Sequence, residues 1–192
     1  MFIETTAEGA LAEWYRAQRG NWGFLPDFAG CFSTRPDVAK AWASLNMTIR
    51  GGMDRRRYEL ATIAAARALR STYCTVAHAS FLRDACGDLQ TVEALALAPD
   101  GSTLSAQDAA VYAFATKVAV DASAVEQGDV DALRAAGLTD ADVADVVFAV
   151  AARAFFTRVL DGLGARLDQA TAATFAPEVL QAMVVGNPVG DN

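Results

Sequence analysis

Apolar residues recur along this chain at spacings of three and four. No stretch of five or more residues alternates apolar and polar with β-branched enrichment. That pattern predicts an all-α protein. A first helix is expected in "TTAEGALAEWYRAQ", with Thr5 or Thr6 as its cap. A Gly- and aromatic-rich connector, residues 20–33, packs through Trp22, Phe24 and Phe28. Pro36 fits the first turn of a helix over 35–50 that stops at Gly51-Gly52. Asp54 caps an Ala-rich helix over 55–70, and Ser71 or Thr72 caps the next, which runs to about Gly87. A shorter helix covers 89–97. Ser105 with Asp108 opens 106–120, residues 127–137 form another, and Thr139 with Asp142 opens the longest, 140–164. The terminal "NPVGDN" is expected to be loose.

A faint repeat runs through these elements. "MDRRRYELATIAAARAL" followed by "HASFLRDACG" is echoed by "LSAQDAAVYAFATKVAV" followed by "GDVDALRAAG". Each copy is an Ala-rich helix, a turn, and a helix ending in Leu-Arg-x-Ala and Gly. Two such pairs bury one face against each other.

Length and composition narrow the class. The chain has 192 residues, one domain's worth, and buries about 70% of its unfolded surface. Hydrophobic residues make up 53% of it, more than one small core covers, so a homo-oligomer is expected. The net charge of −7 excludes nucleic acid and anionic membrane as natural partners. Glu4, Glu8 and Glu13 interrupt any secretory apolar region, and "VVFAVAA" is too short to span a bilayer. A cytoplasmic, reducing setting is expected, with Cys31, Cys74 and Cys86 as free or catalytic thiols.

The chemistry concentrates in "STYCTVAH". Cys74 and His78, the only histidine, lie one turn apart on one helical face. Cys74 falls in the first turn, where the helix dipole favours thiolate, and His78 can exchange its proton. The plain alternative is a small buried thiol beside a satisfied imidazole. Glu59 precedes Cys74 by fifteen residues and shares its face with Ile63 and Ala66. A desolvated carboxyl there has a raised pKa suited to proton transfer; the alternative pairs it with Arg55 or Arg56 on a wet surface. Tyr73 either lines a pocket or packs against the first helix pair. Trp22, Trp42, Phe24 and Phe28 read as core. Arg153 and Arg158 pair across a subunit contact or lie on a solvated edge.

Taken together, "RRYEL", Tyr73-Cys74 and His78 resemble the alkylhydroperoxidase D-like (AhpD-like) family of the carboxymuconolactone decarboxylase superfamily. Its pattern is a Glu on one helix and Cys-x-x-Cys-x-x-x-His opening the next. "RPDVAKAW", "LRDACGD", "LSAQDAAVYAFATKV", "DVDALRAAGLTDADVADVV" and "RVLDGLGARLD" are similar to its peroxidase-related branch, over about residues 10–168. The resemblance implies one all-helical domain over 1–192 with the two-copy repeat, a C-terminal tail from about 169, a homo-oligomer and no bound cofactor. It implies an antioxidant, peroxiredoxin-type oxidoreductase in which Glu59 and His78 relay protons to Cys74. The partners implied are a hydroperoxide and an external thiol reductant. Ser71 stands where the family has its first cysteine, so no disulfide closes within the motif. Cys86 lies about 18 Å away along the same helix, beyond disulfide reach, and Cys31 reaches only if the connector folds over the site. Three outcomes follow: one-cysteine reduction of hydroperoxides at Cys74, with Ser71 and Tyr73 near the substrate; cofactor-free lyase or isomerase chemistry with Glu59 and His78 as acid and base; or a non-catalytic oligomeric relative.

Overall fold

A computed structural model describes residues 1–4 and 12–191. Among these residues there is no strand, and ten α-helices follow one another. They are α1 (Ala12–Trp22), α2 (Pro36–Gly52), α3 (Arg55–Ala68), α4 (Thr72–Ala85) and α5 (Leu89–Leu97). Then come α6 (Ala106–Asp121), α7 (Gln127–Ala135), α8 (Asp140–Leu163), α9 (Gln169–Ala172) and α10 (Pro177–Met183). A 3₁₀ segment, Asp27–Phe32, joins α1 to α2. The proposed caps Thr5 and Thr6 lie outside the described residues. No described helix is long and apolar enough to cross a membrane.

Helix α3 is the centre of the molecule, packed against α4, α6 and α8. Its sequence explains why. Alanines at 61, 64, 65 and 66 let neighbouring backbones approach closely, and residues 58–66 are buried without a break. Three arginines open it, an unfavourable charge for a helix N-terminus. Acids from the starts of other helices answer two of them. Arg56 bonds Asp88, which caps α5, and Asp108 in the first turn of α6. Arg57 bonds Asp142 in the first turn of α8. Each acid thus favours its own helix dipole while locking α3 in register.

The caps read from the sequence form at Asp54, Ser105 and Thr139. At α4 the expectation fails. Ser71 holds the N-cap position, but its hydroxyl makes no capping bond. The Thr72 hydroxyl instead accepts from the Val185 and Gly186 amides, 3.2 and 3.0 Å away. The terminal segment is also not loose. Gly190 donates to Leu167 O and accepts from Gln169 Nε2, both at 2.8 Å. The region after residue 168 is helical in part, and α10 packs against α4 and α5. Gly186 lies so close to Arg70 O that any Cβ there would clash with it.

Candidate active site

The starts of α3 and α4 face α2 and α8 across a cavity of about 530 Å³. Helix α3 contributes Tyr58 and Glu59, α4 contributes Tyr73, Cys74 and His78, and α8 contributes Arg153 and Phe156. Trp14 and Trp22 of α1, Phe28 of the 3₁₀ segment and Trp42 of α2 complete an aromatic wall. A wider depression of about 710 Å³ along α3 and α6 holds none of these residues.

Glu59, Cys74 and His78 therefore line one cavity, although they are not equally joined. His78 Nδ1 lies 2.5 Å from Glu59 Oε2, and Arg55 Nε donates to Glu59 Oε1 at 2.5 Å. Both readings of Glu59 hold in part: it pairs with Arg55, and it is fully buried rather than on a wet surface. Its pKa runs opposite to expectation. Burial alone raises the carboxyl, but the His78 ring and the Arg55 guanidinium outweigh it and hold Glu59 below its ordinary value. The site thus contains a carboxylate, which only accepts hydrogen bonds, so the facing Nδ1 carries the proton. Burial first, then the Arg153 charge, push His78 down to about 4. At neutral pH the ring is uncharged, with Nε2 free to accept a proton.

The Cys74 sulfur has a different partner. Arg153 Nη1 approaches it at 3.6 Å, and Arg153 Nη2 lies 3.4 Å from the Tyr58 hydroxyl. No hydrogen bond joins Cys74 to His78 among the described residues. Burial raises the Cys74 thiol, and the Arg153 guanidinium opposes that rise. Arg153 is neither on a solvated edge nor left for a subunit contact: it is 2% exposed, with its guanidinium 5.4 Å from the Phe156 ring centre. A signal for it exists in the sequence. Ala149, Val150, Phe156 and Thr157, one turn either side, form a buried face that includes position 153.

Tyr73 lines the cavity, and its buried hydroxyl donates to Asp168 Oδ2 at 2.5 Å. Ser71 does not line it. It sits behind Cys74, fully buried, near enough to the Cys74 thiol and the Asp161 carboxyl to affect both, yet hydrogen-bonded to neither. All three cysteines are free. Cys31 is buried with its sulfur 3.8 Å from that of Met1, and burial together with Asp27 pushes its thiol up to about 12. Cys86 caps the far end of α4. Neither lines the cavity. Phe28 is core as expected, whereas Trp22 and Trp42 are half-buried and face the hollow along with it.

Residues 36–99, the segment holding α2 to α5, match the carboxymuconolactone decarboxylase family. No curated protein sequence matches the chain. Several solved structures share its fold. An alkylhydroperoxidase AhpD core, an uncharacterized peroxidase-related protein from Ralstonia eutropha JMP134, superposes with a TM-score of 0.76 at 22% identity, covering 97% of this chain and 96% of its own. An uncharacterized peroxidase-related protein from Silicibacter sp. TM1040 gives 0.75 at 19%, covering 85% and 90%. The debrominase Bmp8, as a cysteine-to-alanine variant in complex with 2,3,4-tribromopyrrole, gives 0.75 at 16%, covering 94% and 95%.

Proposed function

We propose that the chain, whose residues 36–99 match the carboxymuconolactone decarboxylase family and whose fold is that of an AhpD core, is an AhpD-like member of that superfamily and reduces organic hydroperoxides with Cys74 as its only redox cysteine. One observation carries this reading: a buried thiol lies 3.6 Å from a buried guanidinium, inside a cavity that no other cysteine lines. The Cys74 thiol passes its proton to His78 Nε2 within the cavity, and the imidazolium is held by the Glu59 carboxylate. The thiolate, facing Arg153, attacks one peroxide oxygen. The O–O bond breaks, the sulfur is oxidised to a sulfenic acid, and the alkoxide takes the proton back from His78. An external thiol then condenses with the sulfenic acid, releasing water. A second thiol frees Cys74 and leaves as the mixed partner's disulfide. The raised Cys74 and lowered His78 make the first proton transfer uphill, so turnover at neutral pH is slow and rises with pH.

Intact-mass analysis after brief cumene hydroperoxide treatment, with a sulfenic-acid trap present, tests this. One adduct is expected in the wild type, none in Cys74→Ser, and one again in Cys31→Ser and Cys86→Ser. An unmodified wild-type protein overturns it. Ser71→Cys is expected to form a disulfide with Cys74 and to raise dithiol-driven turnover. A debrominase shares this fold, and the under-satisfied Arg153 favours one second reading. That is a lyase or isomerase working on a small carboxylate or lactone with Glu59 and His78, and it would keep its activity in Cys74→Ser.

The assembly proposed is a homo-oligomer, joined through an apolar furrow between α2 and α8. Leu45, Phe148 and Phe155 stand exposed there beside Val38, Ile49 and Ala151. Light scattering with size exclusion at low micromolar concentration should give a multiple of the 20.2 kDa chain mass. A stable monomer overturns the assembly.

A further inference from the structure

The walls of the Cys74 cavity carry more positive charge than the thiol chemistry uses. Their charged residues are Arg50, Glu59 and Arg153. Both oxygens of Glu59 are already engaged, by Arg55 and His78. Neither Arg50 nor Arg153 forms a salt bridge among the described residues; the Arg50 guanidinium touches only the Met47 sulfur. Arg153 has five N–H donors. Among the described residues two find partners, at the long distances of 3.6 and 3.4 Å, and the buried Nε finds none. A buried guanidinium stays charged, and leaving it without a counter-ion is costly. This excess lies inside a protein whose net charge is −7, so it is a local design and not a general property of the surface.

Much of the remaining wall is flat and aromatic, interrupted by the amides of Gln18, Asn21 and Asn46. Trp14, Trp22, Phe28, Trp42, Phe81 and Phe156 surround the hollow. Trp42 and Phe156 stack at 4.1 Å with their planes 17° apart. A volume of about 530 Å³ is that of a small-molecule site, where apolar walls give affinity and a few polar groups set orientation. A planar carboxylate matches a planar guanidinium through paired N–H donors.

We propose that this cavity selects an organic anion, a carboxylate on an aromatic or similarly flat apolar body. The acid group pairs with Arg153, supported by Arg50, and the body lies against the aromatic wall. The inference rests on the reading of the cavity as the reaction site, and there it names the preferred substrate class: hydroperoxides of flat apolar acids, taken ahead of neutral peroxides such as cumene hydroperoxide, which still react.

All three tryptophans of the chain line the cavity, so their fluorescence reports its occupancy. Benzoate, benzamide and acetate titrated into the wild-type protein are the probes. Benzoate is expected to bind at least tenfold more tightly than benzamide, which lacks the charge, and than acetate, which lacks the ring. Arg153→Met is expected to abolish the benzoate preference and Arg50→Gln to reduce it. If circular dichroism shows Arg153→Met unfolded, Arg153→Lys replaces it and lowers the preference at least threefold. Equal binding of benzoate and benzamide overturns the proposal, as does a preference that survives change at Arg153. Binding is read without turnover. A Cys74→Ser protein that keeps the preference supports this inference even where the sulfenic-acid trap finds no oxidation in the wild type.

Discussion

The helical pairs α3–α4 and α6–α7 have opposite surroundings. In the first, residues 58–66 and 71–80 are buried continuously, on every side of both helices. In the second, only Val111, Tyr112, Phe114 and Ala115 of α6 and Leu133 of α7 are buried. Polar residues of α6 and α7 lie open to solvent or in surface pairs such as Lys117–Asp129, 2.6 Å apart and partly exposed. Those of α3 and α4 must be served by the protein. Glu59 is held by Arg55 and His78, while the Thr75 and Ser80 hydroxyls return to their own helix carbonyls. Two hydroxyls, Thr62 and Ser71, find no partner. The difference teaches that an acid and a base become chemistry when water is removed from them.

Substitution at the buried pair should break this contrast most sharply. Cys74→Ser is expected to lower hydroperoxide consumption by roughly a thousandfold or more, while Lys117→Ala stays within about twofold of the wild type. A steady-state peroxide assay run on both proteins decides it, and similar losses would erase the distinction.

Acid should act on the first pair before the second. The folded His78 titrates at about 4 against an ordinary 6.5. Between those values the unfolded chain binds a proton that the folded chain refuses, so stability falls as pH falls from about 6.5 to about 4. The loss is about 3 kcal/mol when complete. Glu59, held below its ordinary value, adds to the loss at the acid end of the range. Urea midpoints at pH 7, 5.5 and 4.5 should decline in that order; a constant midpoint would contradict the buried neutral ring.

Glu59→Gln keeps the shape and removes the charge. It leaves Arg55 without its acid and His78 without its anchor, and is expected to cost about 2 kcal/mol in chemical denaturation. A roughly tenfold loss of peroxide turnover should accompany it. Normal turnover in a folded Glu59→Gln protein would remove Glu59 from the relay. The smallest effect belongs to the solvated pair. Asp129→Ala, which opens the Lys117 contact, should cost under about 1 kcal/mol, less still at high salt.

Much of this was legible in the residues themselves. The helices follow from apolar spacing, and caps at Asp54, Ser105 and Thr139 follow from local hydroxyl and carboxylate chemistry. Cys74 and His78 share a face because four residues make about one turn. What escaped depends on partners distant in sequence. Arg153 meets Cys74 across 79 residues, and periodicity shows that position 153 is buried without showing what awaits it. The apolar face of Glu59 correctly implied burial, but the direction of its pKa depends on His78 and Arg55, two partners that burial alone does not reveal. Ser71 has the residue type of a cap, yet the chain end reaches Thr72 instead. Trp22 and Trp42 have the composition of core and the position of a wall, and no local pattern separates the two.

Trp42 belongs to two hollows at once: it lines the Cys74 cavity on one side and the α2–α8 furrow on the other. Its indole nitrogen has no hydrogen-bond partner among the described residues, and its ring stacks on Phe156. The inner chamber and the outer furrow therefore share one aromatic ring in their linings. Replacing Trp42 is for the same reason a double perturbation, altering the room around the thiol and the surface offered to a neighbour in a single step.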